Sequence, residues 1–236
     1  MKFLAIETAT KQLGVALIED ERLLASCEVL AHYPHAVELP AAVSRVLGEA
    51  QATWADLAAI VVDMGPGSFT GLRIGLAFVK ALSFPLKIPL IGVASLDVLA
   101  AGIPYTPHPI CPILDAKQRN VYTAHFDVEA GRPVRRTEYL LGPVHEVLPA
   151  IEGPVVVLGD GAGVYREQIL ARCPGAEFAA SEFWYPRAAT LARMGRERFL
   201  QGHRDDPRQL VPLYLYPQDC QIRSPDRPTS VLPSRA

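Results

Sequence analysis

The first hundred residues alternate between apolar segments and polar turns in an order that predicts a mixed α/β lobe. Three apolar segments joined by polar turns predict a meander of strands at residues 3–6, 13–18 and 23–30. Two continuous apolar runs predict buried strands at residues 58–64 and 88–93. Helical spacing predicts helices at residues 36–50, 70–84 and 95–101. The second of these helices should end before Pro85, because the residue before a proline disfavours the α conformation.

The second half repeats this order of elements after a proline-rich segment at residues 102–109. Predicted strands follow at residues 110–115, 121–128, 134–141 and 155–158, with predicted helices at 145–151, 164–172 and 186–202. We therefore predict two lobes, at residues 1–103 and 109–202, with the last helix packing back on the first lobe. The polar, proline-rich residues 218–236 predict a mobile tail.

A glycine-rich segment, GPGSFTGLRIG at residues 65–75, lies between the strand ending near residue 64 and the next helix. A helix that follows such a turn can present backbone N–H groups to an anion, which makes Gly65, Gly67 and Ser68 candidates for phosphate binding. The segment lacks the Gly-Lys pair of a Walker A loop, and its third glycine comes one residue late for a dinucleotide fingerprint. The spacing therefore matches neither of these phosphate loops.

The helix that follows the glycine-rich segment is apolar on nearly all sides. One stripe comprises Phe69, Leu72, Leu76, Val79 and Leu82, and a second comprises Ile74, Phe78 and Ala81. A sheet can cover one stripe, so the other requires a second domain or another chain. Both a central core helix and a partner-binding helix fit this pattern. For the partner-binding reading, the neighbouring 35–50 helix joins the interface, and Gly71 and Gly75 open a groove for a partner helix. The predicted interface comprises His35, Leu39, Gly71, Leu72, Ile74, Gly75, Phe78, Val79 and Leu82.

Composition excludes several classes of protein. The 236 residues are 50% hydrophobic and carry a net charge of −2, so no global basic field attracts nucleic acid. Four scattered cysteines without a C-x-x-C pair favour reduced thiols over a disulfide framework or a zinc site. Charges, glycines and prolines interrupt the apolar runs short of a membrane span, and the N-terminus predicts a strand and not a signal peptide. We expect a cytoplasmic protein that does not enter membranes.

Four segments resemble the TsaB (YeaZ) family: residues 1–10, 65–75, 89–96 and 113–122. The resemblance implies an α/β ASKHA fold (the actin-like ATPase, Hsp70 and sugar kinase superfamily) with two similar lobes, each a mixed sheet with flanking helices. It implies a non-catalytic scaffold that works with the transferase TsaD and the ATPase TsaE. That complex transfers a threonylcarbamoyl group to the tRNA adenosine beside the anticodon. The chain would form a homodimer in isolation and would meet tRNA only through the complex.

The resemblance also implies a weak or partner-dependent nucleotide site, with ATP or ADP and Mg²⁺ at a complex interface and no cofactor otherwise. Its candidate residues are Glu7, Thr8, Gly65, Gly67, Ser68 and Asp115. The family usually carries Asp at the position of Glu7, and the longer side chain argues against a metal–phosphate role for this turn. No catalytic residue is assigned.

No metal site is assigned either. TsaD binds its metal through two histidines four residues apart, whereas here His35 is followed four residues later by Leu39 and His32 by Ala36. A shared metal between His32 and His35 is an alternative, as is Mg²⁺ between Asp63 and Asp115. Each of these aspartates would otherwise bond turn N–H groups at the end of its strand. The alternative functions are an ASKHA phosphotransferase acting on a small acid or sugar, and a metalloprotease.

Overall fold

The first lobe is built on a five-stranded mixed sheet. The computed structural model describes residues 1–30 and 35–215, and His32 and the predicted tail lie outside this part of the chain. The strands are β1 (Lys2–Glu7), β2 (Gln12–Glu19), β3 (Arg22–Leu30), β4 (Leu57–Asp63) and β5 (Leu90–Val93), in the order β3-β2-β1-β4-β5. Strands β1 to β3 form an antiparallel meander, and β4 and β5 run parallel to β1. The carboxyl ends of β1 and β4 therefore meet at one edge.

Two helices cover one face of this sheet. They are α1 (His35–Glu49) and α2 (Phe69–Leu86), and a single 3-10 turn (Trp54–Asp56) precedes β4. Helix α2 continues through Pro85, so the predicted stop before this proline is wrong. The missing N–H costs only one hydrogen bond in the last turn, and Lys87 ends the helix in the left-handed conformation with φ 56°.

The short helix α3 (Ser95–Ala101) lies between the lobes. Val98 packs with Phe3 of the first sheet, whereas Leu96 and Leu99 pack into the core cluster of the second sheet. The sequence placed this helix in the first lobe, but its opposite faces are buried by both.

The second lobe reproduces the strand order of the first. Its seven strands are β6 (Ile110–Asp115), β7 (Asn120–Thr123), β8 (Phe126–Glu129), β9 (Arg132–Arg135), β10 (Leu140–Pro143), β11 (Val155–Leu158) and β12 (Ala176–Phe178). The order β10-β7-β6-β11-β12 has the same antiparallel and parallel pairings as the first sheet, with the β8–β9 hairpin added beside β6. The predicted strands 121–128 and 134–141 are each divided, because the chain leaves β7 to form this hairpin.

The remaining helices are α4 (Val144–Val147), α5 (Asp160–Val164), α6 (Arg166–Arg172) and α7 (Ala188–Leu200), with a 3-10 turn at Ser181–Phe183. Helix α7 returns to the first lobe, where Leu191 and Ala192 pack against Phe3, Ala5 and Val61 on the face opposite α1 and α2. Close packing explains Gly195 in α7, because a Cβ there would overlap the side chain of Val61. The first sheet is therefore covered on both faces.

After α7 the chain runs along the edge of the first sheet as a segment that the sequence pattern did not reveal. The backbone N–H of Asp205 donates to the carbonyl of Leu90 at 2.9 Å, and the Asp205 carboxylate accepts from the N–H of Gly92 at 2.7 Å. Farther on, the N–H of Leu213 donates to the carbonyl of Met64 at 2.7 Å, beside the glycine-rich segment. We call residues 205–215 the C-terminal strap.

Candidate functional site

The glycine-rich turn after β4 packs tightly against the turn after β1. A Cβ on Gly67 would overlap the carbonyl oxygen of Ala9, and a Cβ on Gly71 would overlap that of Thr8. The N–H of Ser68 donates to the Ala9 carbonyl at 2.6 Å. The first turn of the protein therefore fills the space beside this loop.

Gly71 and Gly75 do not form a groove for a partner helix, contrary to the sequence prediction. Both are buried in their own lobe, and a Cβ on Gly75 would overlap Oγ1 of Thr8. The two glycines let α2 approach the end of β1, which is the packing reason for two helix-destabilising residues one turn apart.

Three other predicted interface residues are also buried within the chain. Leu39, Leu72 and Val79 expose 2% or less of their surface, so they cannot contact a partner while the lobe keeps this packing. The prediction that these three residues contact a partner is wrong, because they lie on the buried sides of α1 and α2. Ile74, Phe78 and Leu82 are only partly buried against the same core cluster, and they remain candidates. His35 is half-buried, and its Nε2 donates to the carbonyl of Thr10 at 2.9 Å.

Glu7 is sealed inside the protein. Both of its carboxyl oxygens accept a hydrogen bond from the backbone N–H of Ala9, at 2.9 and 3.2 Å. Burial, and then the neighbouring Asp63, hold the pKa of Glu7 well above its usual range. The raised pKa makes Glu7 a poorer ligand for Mg²⁺, because the metal binds the ionised carboxylate.

Asp63 is buried beside it at the end of β4. Its Oδ1 accepts from the N–H of Gly65 at 2.7 Å and from the hydroxyl of Ser95 at 2.6 Å, which confirms that it bonds the turn after its strand. Burial raises the pKa of Asp63 to about 7. Among the described residues, its Oδ2 has no hydrogen-bond partner.

Asp115 occupies the matching strand end in the second lobe and has a different environment. It forms an ion pair with Lys117, accepts from the Lys117 N–H at 2.9 Å and accepts from the hydroxyl of Tyr165 at 3.1 Å. Burial raises the pKa of Asp115, but the bonds from Lys117 outweigh it and leave the pKa below its usual range. Within residues 1–30 and 35–215, no three acidic, histidine or cysteine side chains are grouped to hold a metal ion.

Helix α2 presents an apolar outer surface that the described chain covers only in part. Phe69 and Phe84 expose 46% and 52% of their surface, and Ala77 and Ala81 are exposed between them. By length and composition the helix could cross a membrane, but its inner face is packed on the sheet. We call Phe69, Ala77, Phe78, Ala81 and Phe84 the α2 outer face.

The strap reaches one end of this surface. The rings of Phe69 and Tyr214 lie 5.1 Å apart between centroids. Arg73 stacks 3.7 Å above the Phe69 ring, and its Nε donates to the Tyr214 hydroxyl at 2.9 Å. Sequence reasoning missed this contact, although the apolar residues at 210–215 were a visible signal for buried chain ahead of the polar tail.

Comparison with known proteins shows to which family this chain belongs. Residues 29–215 match the model of the family described as TsaD, tRNA N6-adenosine threonylcarbamoyltransferase. A "tRNA threonylcarbamoyladenosine biosynthesis protein TsaB" of Bacillus subtilis is 32% identical over 219 residues, which cover 91% of this chain and 94% of that protein. The chain belongs to the TsaB (YeaZ) family.

Solved structures agree with this assignment. YeaZ from Pseudomonas aeruginosa superposes with a TM-score of 0.78 at 27% identity, covering 91% of this chain and 99% of that one. Component A of the (R)-2-hydroxyglutaryl-CoA dehydratase of Acidaminococcus fermentans gives a TM-score of 0.50 at 13% identity over 84% of this chain and 98% of its own, a likeness of fold alone. The two lobes with matching strand order are the ASKHA fold.

Proposed function

We propose that this protein acts in threonylcarbamoyladenosine biosynthesis as a non-catalytic subunit that pairs with TsaD and works with TsaE. Its TsaB relative in Bacillus subtilis carries the pathway in its name, and the match to the TsaD family model supports a common ancestry with the transferase. The chain would meet tRNA only within that complex, in the cytoplasm, because its net charge of −2 provides no general attraction for RNA.

The packing around Glu7 carries the non-catalytic part of the proposal. The turn after the first strand is where an ASKHA enzyme would face the phosphates of its nucleotide. Here this turn is pressed against Gly67 and Gly71, and its carboxyl group is buried. This packing leaves no space at the turn for a metal–nucleotide complex, and the raised pKa of Glu7 disfavours the charged carboxylate that such a complex would need. Asp115 and the adjoining second-lobe turn remain a candidate for weak nucleotide binding at an interface with a partner.

The α2 outer face supports pairing with another subunit, since exposed contiguous apolar surface on a folded protein usually marks a partner site. In this proposal the face forms a homodimer when the chain is alone, and TsaD replaces the second copy when it is present. Ile74 and Leu82 border this face, with the outer residues of α1 beside them.

Reconstitution tests this function. Purified TsaD, TsaE, the threonylcarbamoyl donor and unmodified tRNA are incubated with and without this chain, and modified adenosine is measured by mass spectrometry. We expect product only when the chain is present, and no ATP hydrolysis by the chain alone. Equal product without the chain would refute the scaffold role, whereas phosphoryl transfer by the chain alone would favour the phosphotransferase alternative.

A further inference from the structure

The guanidinium group of Arg73 is held in place within an apolar surface. Stacking on Phe69 and the hydrogen bond from Nε to Tyr214 hold the side chain in place, with Tyr214 supplied by the strap. Among the residues that the structure describes, no acceptor takes a hydrogen bond from its two terminal nitrogens. A planar fork of donors held in this way is prepared for a carboxylate or a phosphate.

Helix α2, which carries Arg73, has positively charged side chains and no negatively charged ones. Residues 64–96 contain Arg73, Lys80 and Lys87 but no aspartate or glutamate. On the adjacent helix α1, the carboxylate of Glu49 is already paired with Arg45 at 2.8 Å, and Glu38 is half-buried with an interaction of its own. A twofold contact of α2 with a second copy of this chain would therefore bring like charges together.

We propose that Arg73 is the specificity-determining residue of the α2 outer face, binding a carboxylate on an apolar helix of TsaD and disfavouring a second copy of this chain. This inference rests on the proposed function and adds the chemistry by which the surface distinguishes its partners. Tyr214 is a positioning residue, which acts by holding the guanidinium. The strap thus completes an interface that belongs mainly to α2.

The neighbours of Arg73 favour a protein carboxylate over an RNA phosphate. The group stacks on exposed Phe69, and exposed Ala77 lies one turn farther along the helix; a helix partner would bury both side chains and a solvated phosphate backbone would not. Once the helix partner is bound, the apolar side chains around Arg73 exclude water from the ion pair. The lower dielectric constant there strengthens the attraction between the two charges.

The test measures two equilibria for the wild type and for Arg73→Ala, Arg73→Lys and Tyr214→Phe. Calorimetry gives the Kd for TsaD, and analytical ultracentrifugation gives the Kd for self-association, each at about 50 and about 300 mM salt, since screening acts over this range. Arg193→Ala is the matched control, because it removes the same charge from an exposed site on α7, across the sheet from α2. Circular dichroism confirms that each variant is folded.

We expect Arg73→Ala to weaken TsaD binding about tenfold or more, and Arg73→Lys to weaken it nearly as much because the fork is lost. Tyr214→Phe should weaken it less, and Arg193→Ala should not change it. Self-association should tighten in Arg73→Ala, and in the wild type it should tighten with salt, whereas wild-type binding to TsaD should weaken with salt.

Unchanged TsaD binding by folded Arg73→Ala and Arg73→Lys would overturn the inference and leave the scaffold role intact. Failure of the wild type to bind TsaD would overturn both. Binding of tRNA by the wild-type chain alone that Arg73→Ala abolishes would assign the guanidinium to phosphate instead, and would also overturn the inference.

Discussion

Glu7 and Asp63 end the adjacent parallel strands β1 and β4, and both carboxyl groups are buried. Burial is the larger effect on both groups; the charge of Asp63 further disfavours ionisation of Glu7, and the charge of Asp97 further disfavours ionisation of Asp63. Ionisation of the pair is therefore disfavoured at a position where an ASKHA enzyme would be expected to need charge.

The raised pKa of Asp63 predicts that the stability of the folded protein depends on pH. The pKa of Asp63 is about 7 in the folded protein against an ordinary value of 3.8, so between these values the folded state binds more protons than the unfolded state. Stability is therefore highest at the acidic end of this range and falls as the pH rises towards 7, by up to about tenfold in the folding equilibrium constant per pH unit for each such group.

Asp63→Asn checks this prediction, because the amide keeps an oxygen acceptor for Gly65 and Ser95 and cannot ionise. Urea unfolding between about pH 5 and pH 8 should show a flatter dependence for the variant, with its advantage over the wild type growing as the pH rises. Glu21→Gln, at a side chain that is 86% exposed, serves as control. Parallel curves for the wild type and Asp63→Asn would contradict the account of the buried pair.

The glycines of α2 predict a specific pattern of destabilisation. Gly75→Ala should cost about 1–3 kcal/mol by overpacking against Oγ1 of Thr8, and Thr8→Ala in the same chain should recover part of the loss. Gly71→Ala should not be rescued by Thr8→Ala, because the added Cβ meets the backbone carbonyl of Thr8.

Gly48→Ala in α1 is the matched control for these variants. Nothing lies within 4 Å of a Cβ at that position, so the substitution should stabilise the helix by about 0.5–1 kcal/mol. Chemical denaturation measures the free energy of unfolding of the wild type and of all five variants: Gly75→Ala and Gly71→Ala, each with and without Thr8→Ala, and Gly48→Ala. Equal effects at the three glycines would show that Gly71 and Gly75 are not packed against the first turn.

The filled first-lobe turn predicts weak nucleotide binding. Calorimetry on the isolated chain with Mg²⁺ and ATP should show no binding tighter than about micromolar, and no turnover should follow. Tight binding by the wild type that is lost in Asp115→Asn would locate a working site in the second lobe and refute this prediction.

Local sequence pattern predicted most of the first-lobe elements, but it missed the β8–β9 hairpin of the second lobe and did not show which way the helix faces point. The meanders, the buried strands and the glycine-rich turn follow from apolar runs and turn residues, and their repetition predicted two lobes. The orientation of Gly71 and Gly75 could not be predicted, because small residues suit close approach to β1 and to a partner helix equally well. The strap was missed for another reason: its bonds to Leu90 and Met64 join residues more than a hundred positions apart.

The central claim is that this chain is a non-catalytic subunit. The effect of Glu7→Gln on the reconstituted complex tests that claim most directly. Glu7→Gln preserves the size of the side chain and removes its charge, and the raised pKa of Glu7 already disfavours that charge in the folded protein. The rate of threonylcarbamoyl transfer to tRNA is measured with TsaD and TsaE present, after circular dichroism and TsaD binding have shown the variant to be intact. We predict a rate within about twofold of the wild type, since a non-catalytic subunit needs no ionised carboxylate there. A loss of a hundredfold or more with folding and TsaD binding unchanged would show that this chain contributes Glu7 to the chemistry.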